Sequence, residues 1–242
     1  MPPAPKPRLA FQTLALRGLV LVAGCLGLFW GISNVARGET SDDFSDIEAR
    51  LLRFETFSRT WSIATLASAS TQDVSPCDNH AQRALMLMEI PLADQALRSG
   101  AVQEFDQRVR SLETRARQTL GCTPRDSFVW LLLFGMQTEH GMLDQHAFDL
   151  LAMSYETAPN EAWIAVRRII VAIPVIRTAP EPVRQKVLAE FQNLIANGFV
   201  EMPARAFFDA SVSTRSLLQP RIDQLDPRSQ RNFSEALEKL RS

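Results

Sequence analysis

The chain has 242 residues, 46% hydrophobic and 22% charged, which gives enough apolar mass for a sizeable core and excludes a disordered polymer. A formal net charge of -1 supplies no basic field, which argues against nucleic acid as a partner. Only 10 glycines occur, Ala, Leu, Arg, Gln and Glu abound, and no segment alternates apolar and polar residues between turn signals. The fold class read from the sequence is therefore all-α.

Residues 1–13, opening MPPAPKP, form a short proline-stiffened tail. No charged side chain occurs from Gly18 to Ile32, and apolar character extends the run to 14–35. A spanning helix takes about 20 mainly apolar residues, so 14–35 reads as a transmembrane helix, with Arg17 snorkelling toward the headgroups. Two readings as a cleaved signal compete with a retained anchor. Val22-Ala23-Gly24-Cys25 has the form of a lipoprotein box, but Leu26 to Ile32 stay apolar where a polar tether belongs, and small residues suited to an ordinary signal peptidase are poorly offered near 31–36. The retained anchor fits best. Lys6, Arg8 and Arg17 precede or enter the span, whereas Arg37 alone follows it, ahead of Glu39, Asp42, Asp43 and Asp46. Positive flanks stay inside, so the tail is expected in the cytoplasm and the rest of the chain beyond the bilayer. Ala23, Gly27 and Gly31 recur at i, i+4 and i+8, a small-residue stripe that suits a homodimer through the membrane helix and equally suits ordinary membrane-helix composition.

Residues 36–67 are expected to form a juxtamembrane helix, because Phe44, Ile47, Leu51, Phe54, Ser58 and Trp61 fall on one seam. That seam suits packing onto the chain's own domain better than a short coiled-coil stalk. The polar joint SASTQDVSP follows at 68–76. Cys77 and Cys122 flank the next two helices, and outside a reducing compartment they are expected to pair as a disulfide. Separate thiols are the alternative, and a metal site at Cys77-x-x-His80 lacks a second ligand pair.

The first helix between the cysteines spans about Asp78 to Arg98, with Pro91 expected to bend or break it and Ser99-Gly100 to end it. The second sets Val102, Phe105, Val109, Leu112 and Ala116 on one face. Ser127 to Gly141 is apolar on nearly all sides and should be buried. Asp144 to Ala158 is amphipathic, and a third helix opens at Glu161 and runs to Pro174. Further on, Thr178-x-x-Glu181 offers a capping box for a stripe from Val183 to Ile195 that ends at Asn197-Gly198. Shorter pieces interrupted by Pro220 follow, and Asp226-Pro227 caps a last helix ending near Arg241.

Gly135, Ala147 and Pro159 keep the mutual spacing of the tetratricopeptide repeat, a helix-turn-helix unit of about 34 residues. Leu131, Phe134, Leu151 and Ser154 stand where that unit packs, and residues 124–130 lead to Trp130, one place out of register with Gly135. The stretch 124–173 thus resembles a degenerate tetratricopeptide repeat, and the resemblance implies that 77–242 is an array of αα-hairpins. SYETAPNEAWIAVRR, moreover, resembles membrane-anchored helical proteins of alphaproteobacterial exopolysaccharide and O-antigen assembly, which implies a periplasmic domain on the bacterial inner membrane.

No catalytic constellation stands out. His80, His140 and His146 are the only imidazoles, and EHGMLDQH splits two of them across a turn. No phosphate loop or nucleophile elbow occurs, so no cofactor is expected. Under the repeat's register, Val129, Leu132, Met136 and Glu139 would line a concave protein-binding groove, with Arg167 and Arg168 at its edge; the alternative is that the three apolar residues are core. The function read from the sequence is a membrane-anchored adaptor or scaffold for other envelope proteins. A glycan enzyme with dispersed carboxylates and a structural subunit of a larger complex remain as alternatives.

Overall fold

A computed structural model describes residues 7–71, 74–139 and 141–241, with the backbone alone described at 7–16, 32–43, 70 and 71. Among the described residues, eleven α-helices and one 3-10 turn account for the regular structure, and no strand occurs. The expected all-α class is therefore found. Helix α1 spans Pro7–Leu52, α2 Arg59–Thr71, α3 Asn79–Arg98, α4 Val102–Cys122, α5 Ser127–Glu139, α6 Gln145–Thr157, α7 Ala162–Ala172, α8 Glu181–Ala196, α9 Glu201–Asp209, α10 Val212–Asp223 and α11 Pro227–Arg241.

Helices pair in chain order. α3 and α4 form an antiparallel hairpin, because Cys77 just before α3 bonds Cys122 at the end of α4, with a Cα–Cα separation of 5.1 Å. α5 and α6 form the next hairpin, closed where Ser154 Oγ donates to the Ser127 carbonyl at 2.9 Å. α7 packs on α8 and α9, and α11 closes against α8 and α9. One apolar core runs through these pairs, from Met86 and Ala93 of α3 to Phe233 of α11. α5 earns its burial by composition: Phe128, Val129 and Leu131 to Phe134 are all buried, as an all-round apolar helix must be.

Helix ends follow local chemistry. Asp144 caps α6 by accepting from the Ala147 N–H at 2.9 Å, and Asp226 caps α11 by accepting from Arg228 and Ser229. The hydrogen bonds from Ser229 and Arg228 hold the Asp226 carboxyl below its ordinary pKa. α8 ends as expected, with Gly198 at φ 85 and the paired bonds Gly198 N–H to Ile195 and Phe199 N–H to Leu194.

Several expectations need correction. Pro91 and Pro220 lie inside unbroken α3 and α10, since a single missing N–H in a packed helix leaves the neighbouring turns to hold it. The capping box at Thr178 does not form: Thr178 Oγ1 donates to the Val175 carbonyl, and Pro180 occupies the cap position of α8. The seam of 36–67 is divided. α1 stops at Leu52, Phe54 takes φ 62, and α2 restarts at Arg59. Phe54 N–H bonds the Leu51 carbonyl and Glu55 N–H the Arg50 carbonyl, the same paired termination as at Gly198, here with a phenylalanine in the left-handed seat.

Before Phe44, the described side chains of α1 are those of 17–31. Its apolar members are open, among them Leu19 at 70% exposure and Phe29 at 72%. A Cβ added at Gly27 or Gly31 would meet nothing within 4 Å, and Ala23 is exposed beside them. The outer parts of the expected span, 14–16 and 32–35, have side chains outside the described residues. Among the described residues, no helix is both long and apolar enough to cross a membrane.

Candidate functional site

The most developed polar site lies where the carboxyl end of α1 meets the hairpin array. A cleft of about 360 Å³ opens there between α1, the start of α3, the 123–127 turn and the α6–α7 turn. Its walls carry Glu48, His80, Arg83, Asp126, Glu161 and Trp163. Each wall is placed by a helix end: His80 sits in the first turn of α3, Asp126 just before α5, and Glu161 at the cap position of α7. The disulfide holds the first two together, because Cys77 and Cys122 lead directly into them.

These charges form a chain. His80 Nδ1 lies 2.5 Å from Glu48 Oε2, Arg83 donates to Glu48 Oε1, and its other amino group donates to Asp126 Oδ2 at 2.8 Å. Asp126 Oδ1 meanwhile accepts from the Phe128 and Val129 N–H groups. Glu48 and Asp126 are buried, so without these donors their desolvation would be costly. Burial alone would lower the Arg83 pKa, but Asp126 and Glu48 outweigh it and the guanidinium is held above its ordinary value. Arg83 also lies over the Trp163 ring at 5.1 Å.

The paired arginines of α7 take different routes. Arg167 donates to the Leu51 carbonyl at 2.9 Å and the Leu52 carbonyl at 3.2 Å, capping α1 where the helix dipole is negative. It stacks 4.3 Å from the Phe54 ring, and burial lowers its pKa to about 10, so it remains a cation at neutral pH. Arg168 points the other way and is fully buried. It donates to Glu190 Oε1 at 2.9 and 2.5 Å, to the Ser154 carbonyl at 2.9 Å and to the Ala158 carbonyl at 3.1 Å. Tyr155 adds a hydroxyl bond to Glu190 Oε2 at 2.9 Å. Burial raises the Glu190 carboxyl above its ordinary pKa despite the opposing pull of Arg168, and burial beside Glu190 raises the Tyr155 phenol well above its own.

The expected groove is not assembled as drawn from the sequence. Val129 is wholly buried and Leu132 is 9% exposed, so both belong to the core. Arg168 is an internal pin and Arg167 a cap for α1. Met136 is half-buried against the core, and Glu139 is exposed at the end of α5. The helical spacing of Val129, Leu132 and Met136 marks the face that packs onto neighbouring helices. The repeat-like positions lie in different surroundings: Gly135 faces Val171, whose Cγ1 would lie 3.7 Å from an added Cβ, Ala147 is fully buried, and Pro159 is exposed in the α6–α7 turn. His80 is bound to Glu48, His146 is exposed, and His140 lies outside the described residues.

Sequence reasoning missed Glu48, Arg83 and Asp126. Their signal was faint: two acids and a base on three separate elements, each indistinguishable by type from solvated surface charge. No family model, no curated protein and no solved structure matches this chain.

Proposed function

We propose that the chain is a single-pass protein of the bacterial inner membrane, amino end in the cytoplasm, whose helical array is a tetratricopeptide-like adaptor in the periplasm. The partners are other envelope proteins, in a setting such as exopolysaccharide assembly. The observation that carries this reading is the first helix: between 17 and 31 its apolar side chains are exposed, at 60% to 72% for Leu19 to Val22 and Leu26 to Phe29, where water would be a poor solvent. The disulfide-bonded hairpin supports an oxidising compartment. The paired helices at 127–157 support the repeat-like array.

A glycan enzyme draws on the carboxylates of the cleft, but both oxygens of Glu48 and of Asp126 are engaged by donors, which leaves neither as a ready acid or base. Reporter fusions after Ser242 combined with vesicle flotation test the assignment. The expected result is a chain that floats with the bilayer and activates a periplasmic reporter. A chain that stays at the bottom of the gradient, or that activates only a cytoplasmic reporter, would defeat it.

A further inference from the structure

The amphipathic last turns of α1 lie in a groove that the rest of the chain builds for them. Phe44, Ile47 and Leu51 of α1 enter a small apolar cluster with Ala81, Ala84, Leu85 and Met88 of α3. Next to Ile47, Glu48 is gripped by His80 and Arg83. At the helix end, Arg167 reaches from α7 to the last carbonyl oxygens. Apolar residues at i, i+3 and i+7, a carboxylate at i+4 and a cation over the terminal carbonyls make up a complete helix-in-groove recognition pattern.

Three features mark this contact as exchangeable. Its apolar cluster is separate from the core that unites α3 to α11. Its terminator holds Phe54 at φ 62, a left-handed conformation that side chains disfavour, and undocking would release that strain. The groove is also incompletely filled, since the cleft runs on beside Ser45, Ala49 and Leu52 of the docked helix.

We propose that this groove is a helix-docking site closed in cis by residues 44–52, and that the partner opening it is an amphipathic helix end with the same pattern. That helix presents apolar residues at i, i+3 and i+7 and a carboxylate at i+4, matched to His80, Arg83 and Arg167. The site gives the proposed adaptor its docking surface and rests on that reading. The basic side chains select the carboxylate and the carbonyl end, while Ala81 and Ala84, having little side chain of their own, let a helix approach closely.

The probe is a fluorescein-labelled synthetic peptide of residues 42–57, titrated against the full chain in detergent micelles. Wild-type chain should bind it weakly, because the cis segment competes at an effective concentration in the millimolar range. The Glu48→Lys chain, whose own helix is repelled by Arg83, should bind the peptide tighter by on the order of tenfold or more. A peptide carrying Glu48→Lys should lose that binding. In wild type, excess peptide should accelerate hydrogen exchange in 44–57 and leave 183–195 protected. Equal affinity of both chains, equal binding of both peptides, or unchanged exchange in 44–57 under excess peptide overturns the proposal. Should Glu48→Lys also unprotect 183–195, the wild-type exchange arm decides alone. Flotation failure would remove the membrane anchor and leave this result standing, so the two readings fail separately.

Discussion

Replacing Arg168 with Met tests whether the centre of the array is held by a single buried cation. Met keeps most of the stem, so the cavity left is small and the loss is mainly electrostatic. The guanidinium is fully buried and donates to Glu190, to the Ser154 carbonyl and to the Ala158 carbonyl. Removing one partner of a buried pair costs about 3–5 kcal/mol, because the other charge stays behind without water. For a domain of this size, about 2–4 °C of melting temperature is lost per kcal/mol, so a drop of about 10 °C is expected. Urea titration followed by far-UV circular dichroism, with the disulfide intact, measures the loss directly. The pH dependence gives a second check. Burial already raises the Glu190 carboxyl, and without Arg168 only the Tyr155 hydroxyl opposes that push. The folded variant then binds a proton more tightly than the unfolded chain, so its stability rises as pH falls toward about 4.3, and its deficit against wild type shrinks. A deficit below about 1 kcal/mol, or one that widens on acidification, would refute the assignment of Arg168 as a charge-bearing pin.

Three further outcomes are expected. Cys77→Ser with Cys122→Ser opens a loop with a sequence separation of 45, worth about 4 kcal/mol by loop-closure entropy; the same urea titration reads it, and an unchanged midpoint would mean that the bond contributes nothing. Gly198→Ala forces a side chain into φ 85 and should cost about 1 kcal/mol, whereas the same change at Gly121 meets open space in ordinary helix and should be neutral or better. Phe54→Gly relieves the left-handed seat but loses the stack on Arg167, so its effect should be near zero. Phe54→Ala loses the stack alone and should cost about 0.5–1 kcal/mol, and Phe54→Gly proving the worse of the two would contradict this division.

What the sequence disclosed was periodic or local. The helices from α3 to α8 were legible because stripes such as Val183 to Ile195 repeat at the helical period, and the caps at Gly198 and Asp226 announce themselves by residue type. The disulfide was legible because Cys77 and Cys122 flank one helical pair, where two cysteines outside a reducing compartment tend to join. The break after Leu52 was hidden, since a left-handed cap is expected at Gly or Asn and Phe54 satisfies neither; the turn is held by its paired backbone bonds and by the stack of Arg167, supplied from far along the chain. The groove expectation failed for a related reason. Val129 and Leu132 are spaced for a helix face, but spacing does not tell whether that face meets a partner or a neighbouring helix. Arg168 was misread as an edge charge because nothing local to it foretells Glu190.

Arg167 and Arg168 together explain why the docking of α1 depends on the fold of the whole array. They are neighbours on α7 and face opposite sides of it. Arg168 fixes the rotation of α7 by tying it to Glu190 of α8 and to the closing carbonyls of α6. With that rotation fixed, Arg167 must point at the end of α1, where it caps Leu51 and Leu52. The grip on the amino-terminal helix is therefore inherited from the buried pair behind it. Arg168→Met should loosen 44–57 in hydrogen exchange even at temperatures where 183–195 remains protected. Arg167→Met, by contrast, should loosen 44–57 while leaving global stability within about 1 kcal/mol of wild type, since a partly solvated cap is worth about that much. If both variants loosen the segment only when the whole domain unfolds, α7 is not the relay this geometry describes.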